Sequence, residues 1–139
     1  MAERRYLVDT SVLGRAHQPR VGDRLEELAS SGLMWTCGLI DLEVVYGARA
    51  RDVDEIIAER AVLPEAPINS AVMDRAVRVA GLLATAGHHR GAKPVDLVIA
   101  AAAEAAGLAV LHYDRDYERI AEVTRQTTEW VAPVGTLDN

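Results

Sequence analysis

The stretch Pro94-Val95-Asp96-Leu97-Val98-Ile99-Ala100-Ala101-Ala102-Ala103-Glu104-Ala105-Ala106-Gly107-Leu108-Ala109-Val110-Leu111-His112-Tyr113-Asp114-Arg115-Asp116 decides the fold. Proline suits the first turn of a helix and glycine its end, so residues 94–106 read as an alanine-rich helix closed by Gly107. Leu108-Ala109-Val110-Leu111 then reads as a buried strand that stops at a polar edge, His112 to Asp116. A helix that returns the chain to a strand of one sheet is the unit of an α/β fold with parallel strands.

The same alternation extends outward. Arg5-Tyr6-Leu7-Val8 reads as a strand ending on Asp9-Thr10-Ser11, with Thr10 or Ser11 able to cap the helix after it. Val21, Leu25, Leu28 and Ala29 keep helical spacing up to Ser31-Gly32. Leu33 to Cys37 is a second short strand, followed by a helix from Gly38 to about Arg49 that contains Glu43. Residues 52–63 are helical again, and Pro64-Glu65-Ala66-Pro67-Ile68 is a brief extended segment. Asn69 or Ser70 caps a helix over roughly Ala71 to Ala86, and His88-His89-Arg90-Gly91-Ala92-Lys93 forms a basic loop. A short helix from Tyr117 to Val123 and a strand near Thr128 to Val131 finish the pattern. No repeat or linker divides the chain, so residues 1–139 are expected to form one domain.

Composition narrows the function less than the pattern does. With no Phe, the core must be built from Ala, Val and Leu, which favours close approach of helix to sheet. The single cysteine, Cys37, excludes an intrachain disulfide and a cysteine zinc cluster, and suits an inert core position. No stretch approaches the roughly 20 apolar residues of a membrane span, and Met1 to Arg5 does not resemble a secretory leader, so we expect a cytoplasmic protein with no membrane partner. A net charge of −6 argues at first against nucleic acid. With five carboxylates set aside for one site, however, the 21 acidic and 15 basic residues come within one charge of balance.

Those carboxylates are Asp9, Glu43, Asp96, Asp114 and Asp116. In an open α/β sheet the ligand crevice lies beyond the carboxyl ends of the strands, where Asp9 and Asp114 fall. Singly, each acid has a plain structural reading: Asp9 as a helix cap, Asp96 in the favourable first turn of its helix, Glu43 as one half of an ion pair. Together they stay ionised only around bound positive charge. Oxygen ligands suit hard cations such as Mg²⁺ or Mn²⁺, which activate water and neutralise a phosphodiester. No P-loop, dinucleotide fingerprint or Ser/His/Asp order competes.

Tyr6-Leu7-Val8-Asp9-Thr10-Ser11-Val12-Leu13, Glu43 with Tyr46-Gly47-Ala48-Arg49, Lys93-Pro94-Val95-Asp96-Leu97-Val98-Ile99-Ala100-Ala101, and His112-Tyr113-Asp114-Arg115-Asp116-Tyr117-Glu118 resemble, in order and spacing, the signature blocks of VapC-type PIN-domain toxins. The resemblance runs from residue 6 to about residue 121. It implies a five-stranded parallel sheet flanked by helices, Mg²⁺- or Mn²⁺-dependent endoribonuclease activity, and inhibition by a cognate VapB-like antitoxin. It also implies a homodimer, for which the apolar helix faces between Leu39 and Leu63 offer a surface. By the same resemblance Asp9, Glu43, Asp96 and Asp114 form the core acidic site, with Asp116 an additional or alternative ligand.

Around the acids, Thr10 and Ser11 can orient a ligand carboxylate or simply cap a helix. Arg90 and Lys93 can hold RNA phosphates. His88, His89 and His112 do not make a zinc site, because adjacent histidines need not face one way. Trp35 and Trp130 read as core, whereas Tyr113 and Tyr117 flank the acidic edge as packing or base-stacking residues. Two other functions fit the same fold. A phosphohydrolase or phospho-accepting domain would also place an Asp after the first strand, but Ser11 stands where the former needs a second Asp, and Lys93 precedes a helix. A non-catalytic PIN-like module binding RNA or a partner would bind no Mg²⁺.

Overall fold

The computed structural model describes residues 3–138. Four parallel strands, β1 (Tyr6–Val8), β2 (Met34–Trp35), β3 (Ala109–His112) and β4 (Thr128–Trp130), lie in the order β2-β1-β3-β4. Tyr6 pairs with Met34 on one side and Ala109 on the other, and Val110 pairs with Thr128. Seven α-helices connect them: α1 (Thr10–Leu13), α2 (Pro19–Ser30), α3 (Gly38–Gly47), α4 (Val53–Ala61), α5 (Ser70–Thr85), α6 (Pro94–Ala106) and α7 (Arg115–Thr124). A 3₁₀ turn, Ala50–Asp52, leads into α4.

The strand period of two sorts side chains onto opposite faces. Leu7 and Val110 point into one apolar layer with α3, α5, α6 and α7, whereas Tyr6, Val8, Ala109 and Leu111 pack with Val21, Leu25 and Leu28 of α2. Ala100 to Ala103 are all buried, the small side chains that let α6 lie close to its neighbours. Gly107, left-handed at φ 70°, ends α6 where a side chain would be strained. Cys37 is buried and free, and Trp35 packs on the first layer.

Several expectations change. The sheet has four strands, not five, because the segment at 64–68 contributes only an isolated bridge between Thr36 and Glu65. Thr36 N–H donates to Pro64 O and Ala66 N–H to Thr36 O, and the ring nitrogens of Pro64 and Pro67 leave no donor to lengthen the ladder. Neither Thr10 nor Ser11 caps α1. Asp9 does, accepting from Ser11 N–H. The last helix begins at Arg115 rather than Tyr117, capped by Asp114. Asn69, not Ser70, caps α5. Among the described residues no helix is long and apolar enough to cross a membrane.

Candidate active site

Strands β1 and β3 are central neighbours and run in the same direction, so their carboxyl ends meet. Asp9 N–H donates to Leu111 O at 3.0 Å, which fixes Asp9 beside the end of β3. Asp114 follows β3 with only Tyr113 between, and Asp116 lies in the first turn of α7. Asp96 occupies the first turn of α6. The amino ends of α1, α6 and α7 thus converge here, and their macrodipoles favour negative charge.

Single carboxylate oxygens of Asp96, Asp114 and Asp116 lie within 4.8 Å of one another. Asp9, buried at 2% exposure, joins them through Tyr117, whose hydroxyl lies 2.7 Å from Asp9 Oδ1 and 3.3 Å from Asp96 Oδ1. Glu43 approaches from α3, its Oε1 accepting from Thr10 Oγ1 at 3.3 Å. All five acids named from the sequence therefore lie along one edge, with the three aspartates tightest. Among the described residues this is the one group of three or more potential ligand atoms gathered so closely, and it contains no histidine.

Lys93 enters the site rather than lining its approach. Its Nζ donates to Asp116 Oδ2 at 2.8 Å and Asp114 Oδ2 at 3.1 Å, and stands 3.1 Å from Asp96 Oδ2. Its backbone N–H also donates to Asp116 Oδ2. Arg119 reaches Asp116 Oδ1 at 3.3 Å. Arg90 lines, with Lys93 and Arg119, an adjoining groove of about 730 Å³ whose other lining residues include Ala80, Gly81 and Ala84.

Electrostatics follow from this crowding. Burial first, then the neighbouring carboxylates of Asp116 and Asp9, lift the Asp96 carboxyl to about 7. Burial also acts on Asp116, but the hydrogen bonds from Lys93 and the neighbouring Asp96 prevail and hold it below the usual carboxylate range. Glu43 is raised by burial and by Asp9. For Lys93 partial burial is outweighed by the carboxylates of Asp116, Asp114 and Asp96, which keep its ammonium charged.

Of the two readings the sequence left open for Tyr117, the structure takes packing. Tyr117 is fully buried, so it offers no base-stacking face and instead bridges two acids. Its position one helical turn after Asp114 was the available signal. Ser11 Oγ accepts from Tyr113 N–H, tying α1 to the end of β3. The Tyr113 ring is covered by Arg15 and the edge of Trp130. His112 is buried between Tyr117 and Trp130, with Nδ1 accepting from Asp114 N–H, and burial lowers its pKa to about 4.

The donor set fits a hard divalent cation: every close ligand atom is a carboxylate oxygen, and Asp96 Oδ2 is buried without a hydrogen-bond donor. The chain is also similar to known proteins. Residues 6–123 match the PIN domain family. Ribonuclease VapC21 of Mycobacterium tuberculosis is 44% identical over 134 residues, covering 95% of this chain and 97% of that protein. Ribonuclease VapC18 of the same species is 42% identical over 135 residues, covering 95% and 98%. The fold is similar to that in a DNA-bound VapBC structure from Salmonella typhimurium, with a TM-score of 0.73 at 19% identity over 94% of this chain and 100% of that one.

Proposed function

Since the chain belongs to the PIN-domain family, alongside its VapC ribonucleases, we propose that it is a Mg²⁺- or Mn²⁺-dependent endoribonuclease restrained by a cognate VapB-like antitoxin. The observation that supports this best is the convergence of Asp96, Asp114 and Asp116, with Asp9 tied in through Tyr117. In this reading Asp9, Asp96 and Asp114 hold the cation, with Asp116 as a further ligand and Glu43 facing the same crevice. A divalent ion bound there supplies activation of the attacking water and charge neutralisation at the phosphodiester. Tyr117 holds Asp9 and Asp96 at a fixed separation, and Thr10 steadies Glu43. Arg90, which lines the groove, would take an RNA phosphate.

The same crevice would attract an arginine from an antitoxin, which would displace metal and substrate together. We assign a homodimer contact to α3 and α4, where Leu42, Tyr46, Ile57 and, at the end of α4, Val62 are exposed; Tyr46→Glu should then lower the sedimentation coefficient. The central test is cleavage of a mixed RNA substrate. EDTA should abolish it, and Asp9→Asn or Asp96→Asn should remove it while the circular dichroism spectrum is kept. Metal-independent cutting, or full activity in both variants, would refute the assignment.

A further inference from the structure

Resting on the metal-site reading above, we propose that Lys93 is a tethered counter-ion of the acidic crevice: its ammonium holds the carboxylates together until a divalent cation displaces it, so that metal uptake and release of this side chain are one exchange.

Position comes first. Three carboxylate oxygens, from Asp96, Asp114 and Asp116, lie 2.8–3.1 Å from Nζ, which puts a positive charge where a cation would sit among the same ligands. Lysine fills that place imperfectly. It hydrogen-bonds to Asp114 and Asp116 but meets Asp96 Oδ2 without hydrogen-bond geometry, and that oxygen is left buried with no donor. One ammonium also brings a single charge to three aspartates, with only Arg119 adding to it at the far oxygen of Asp116. A divalent ion offers twice the charge and can coordinate the oxygen that lysine leaves unsatisfied.

The tether allows the exchange without unfolding. Lys93 stands immediately before Pro94, at the cap of α6, and its backbone N–H is bound to Asp116 Oδ2. Its side chain is 63% exposed, in contrast to 7% for that of Asp96, and the adjoining groove gives the freed stem somewhere to lie. Residue type matters as well. Lys93 is the only lysine in the sequence, and the well-matched acids elsewhere are held by arginine. A planar guanidinium locks a carboxylate with paired bonds, whereas an ammonium on a flexible stem is a point charge that water or metal can replace.

That uniqueness makes the test direct. In the full chain labelled with ¹³C,¹⁵N-lysine, the one side-chain signal should move from an ion-paired to a solvated position as Mg²⁺ is added. Its midpoint should match that of Mg²⁺ binding measured by calorimetry. A signal that stays put while calorimetry shows Mg²⁺ binding would overturn the exchange, and this measurement needs no variant. Lys93→Met, which keeps the apolar stem, should bind Mg²⁺ about tenfold more tightly and melt at lower temperature without metal, as expected when a competitor and a counter-charge are removed together. Equal affinity in parent and variant would sink the exchange alone. Absence of Mg²⁺ binding in both would sink the metal-site reading with it.

Discussion

Three carboxylates away from the crevice, Asp41, Glu104 and Glu129, are met by arginine, whereas those at the carboxyl end of the sheet gather around one lysine. Glu104 on α6 receives two hydrogen bonds from Arg75, at 2.8 and 3.2 Å. Asp41 is met by Arg60 at 2.9 Å and by Thr36, and Glu129 by Arg4, Arg24 and the Tyr6 hydroxyl. At the crevice, Asp96, Asp114 and Asp116 share Lys93, Arg119 reaches Asp116 alone, and Asp9 and Glu43 are met by the hydroxyls of Tyr117 and Thr10. The contrast separates acids that serve the fold from acids kept in deficit for a ligand. Helix α6 carries one of each, Asp96 in its first turn and Glu104 in its last, so the two kinds can be compared within a single element.

The largest expected difference follows from that pair. Asp96→Asn should lower the rate of RNA cleavage by about 10²-fold or more, the scale on which one charge-stabilising group at a reacting centre is felt. Glu104→Gln should leave the rate unchanged. If both variants lose activity equally, the distinction between the two kinds of acid is broken.

Tyr117→Phe sharpens the comparison, because it removes only the hydroxyl that lies between Asp9 and Asp96. The ring stays buried against His112. Loss of a group that orients ligands costs about 10–100-fold in metal affinity or activity, and calorimetry with Mn²⁺ should read that fall. Unchanged Mn²⁺ affinity would reduce Tyr117 to a packing residue.

A further difference lies in pH dependence. Folded Asp96 keeps its proton up to about pH 7, mainly because it is buried, whereas an unfolded aspartate loses it near 3.9. Between those values the native state binds more protons, so this group's contribution to stability is fully present below about pH 3.9 and is lost as pH rises through 7. Metal-free protein should therefore lose up to about 1.4 kcal/mol per pH unit from this group across that window. Chemical denaturation should show the slope in the parent and a flatter one in Asp96→Asn. Asp116, held low by Lys93 and Asp96, acts in the opposite sense, its contribution being lost as pH falls below the ordinary carboxylate range.

The fold was legible because alternation and punctuation agree: Pro94 and Gly107 bound α6, and the apolar runs at 6–8 and 109–111 form the two central strands. The fifth strand was not, since it came from the family pattern, whereas Pro64 and Pro67 limit pairing in this chain to one bridge. At the site, the acids were readable as residues at strand ends and helix starts, positions that sequence order preserves. The roles of Tyr117 and Lys93 were not. An aromatic on an amphipathic helix looks like core, and only the packing of α7 against α6 turns its hydroxyl toward two aspartates. A lysine in a basic loop looks solvated until the turn before Pro94 folds it back over Asp116.

The smallest expected effect tests the other half of the contrast. Arg75 and Glu104 are each about one-third exposed, so water screens their attraction and the pair contributes only about 0.5–1 kcal/mol. Arg75→Ala and Glu104→Gln should each shift the denaturation midpoint slightly, and the double variant should lose less than the sum of the two, because the interaction is removed once. The same cycle on Lys93 and Asp96, run without metal above the pH at which Asp96 ionises, should behave differently. Lys93→Met alone leaves repelling carboxylates and destabilises, whereas adding Asp96→Asn relieves that repulsion and restores part of the loss. Similar couplings in the two cycles would mean that Lys93 is an ordinary surface ion-pair partner, and that the charge deficit at the end of the sheet is too well solvated to act on the fold.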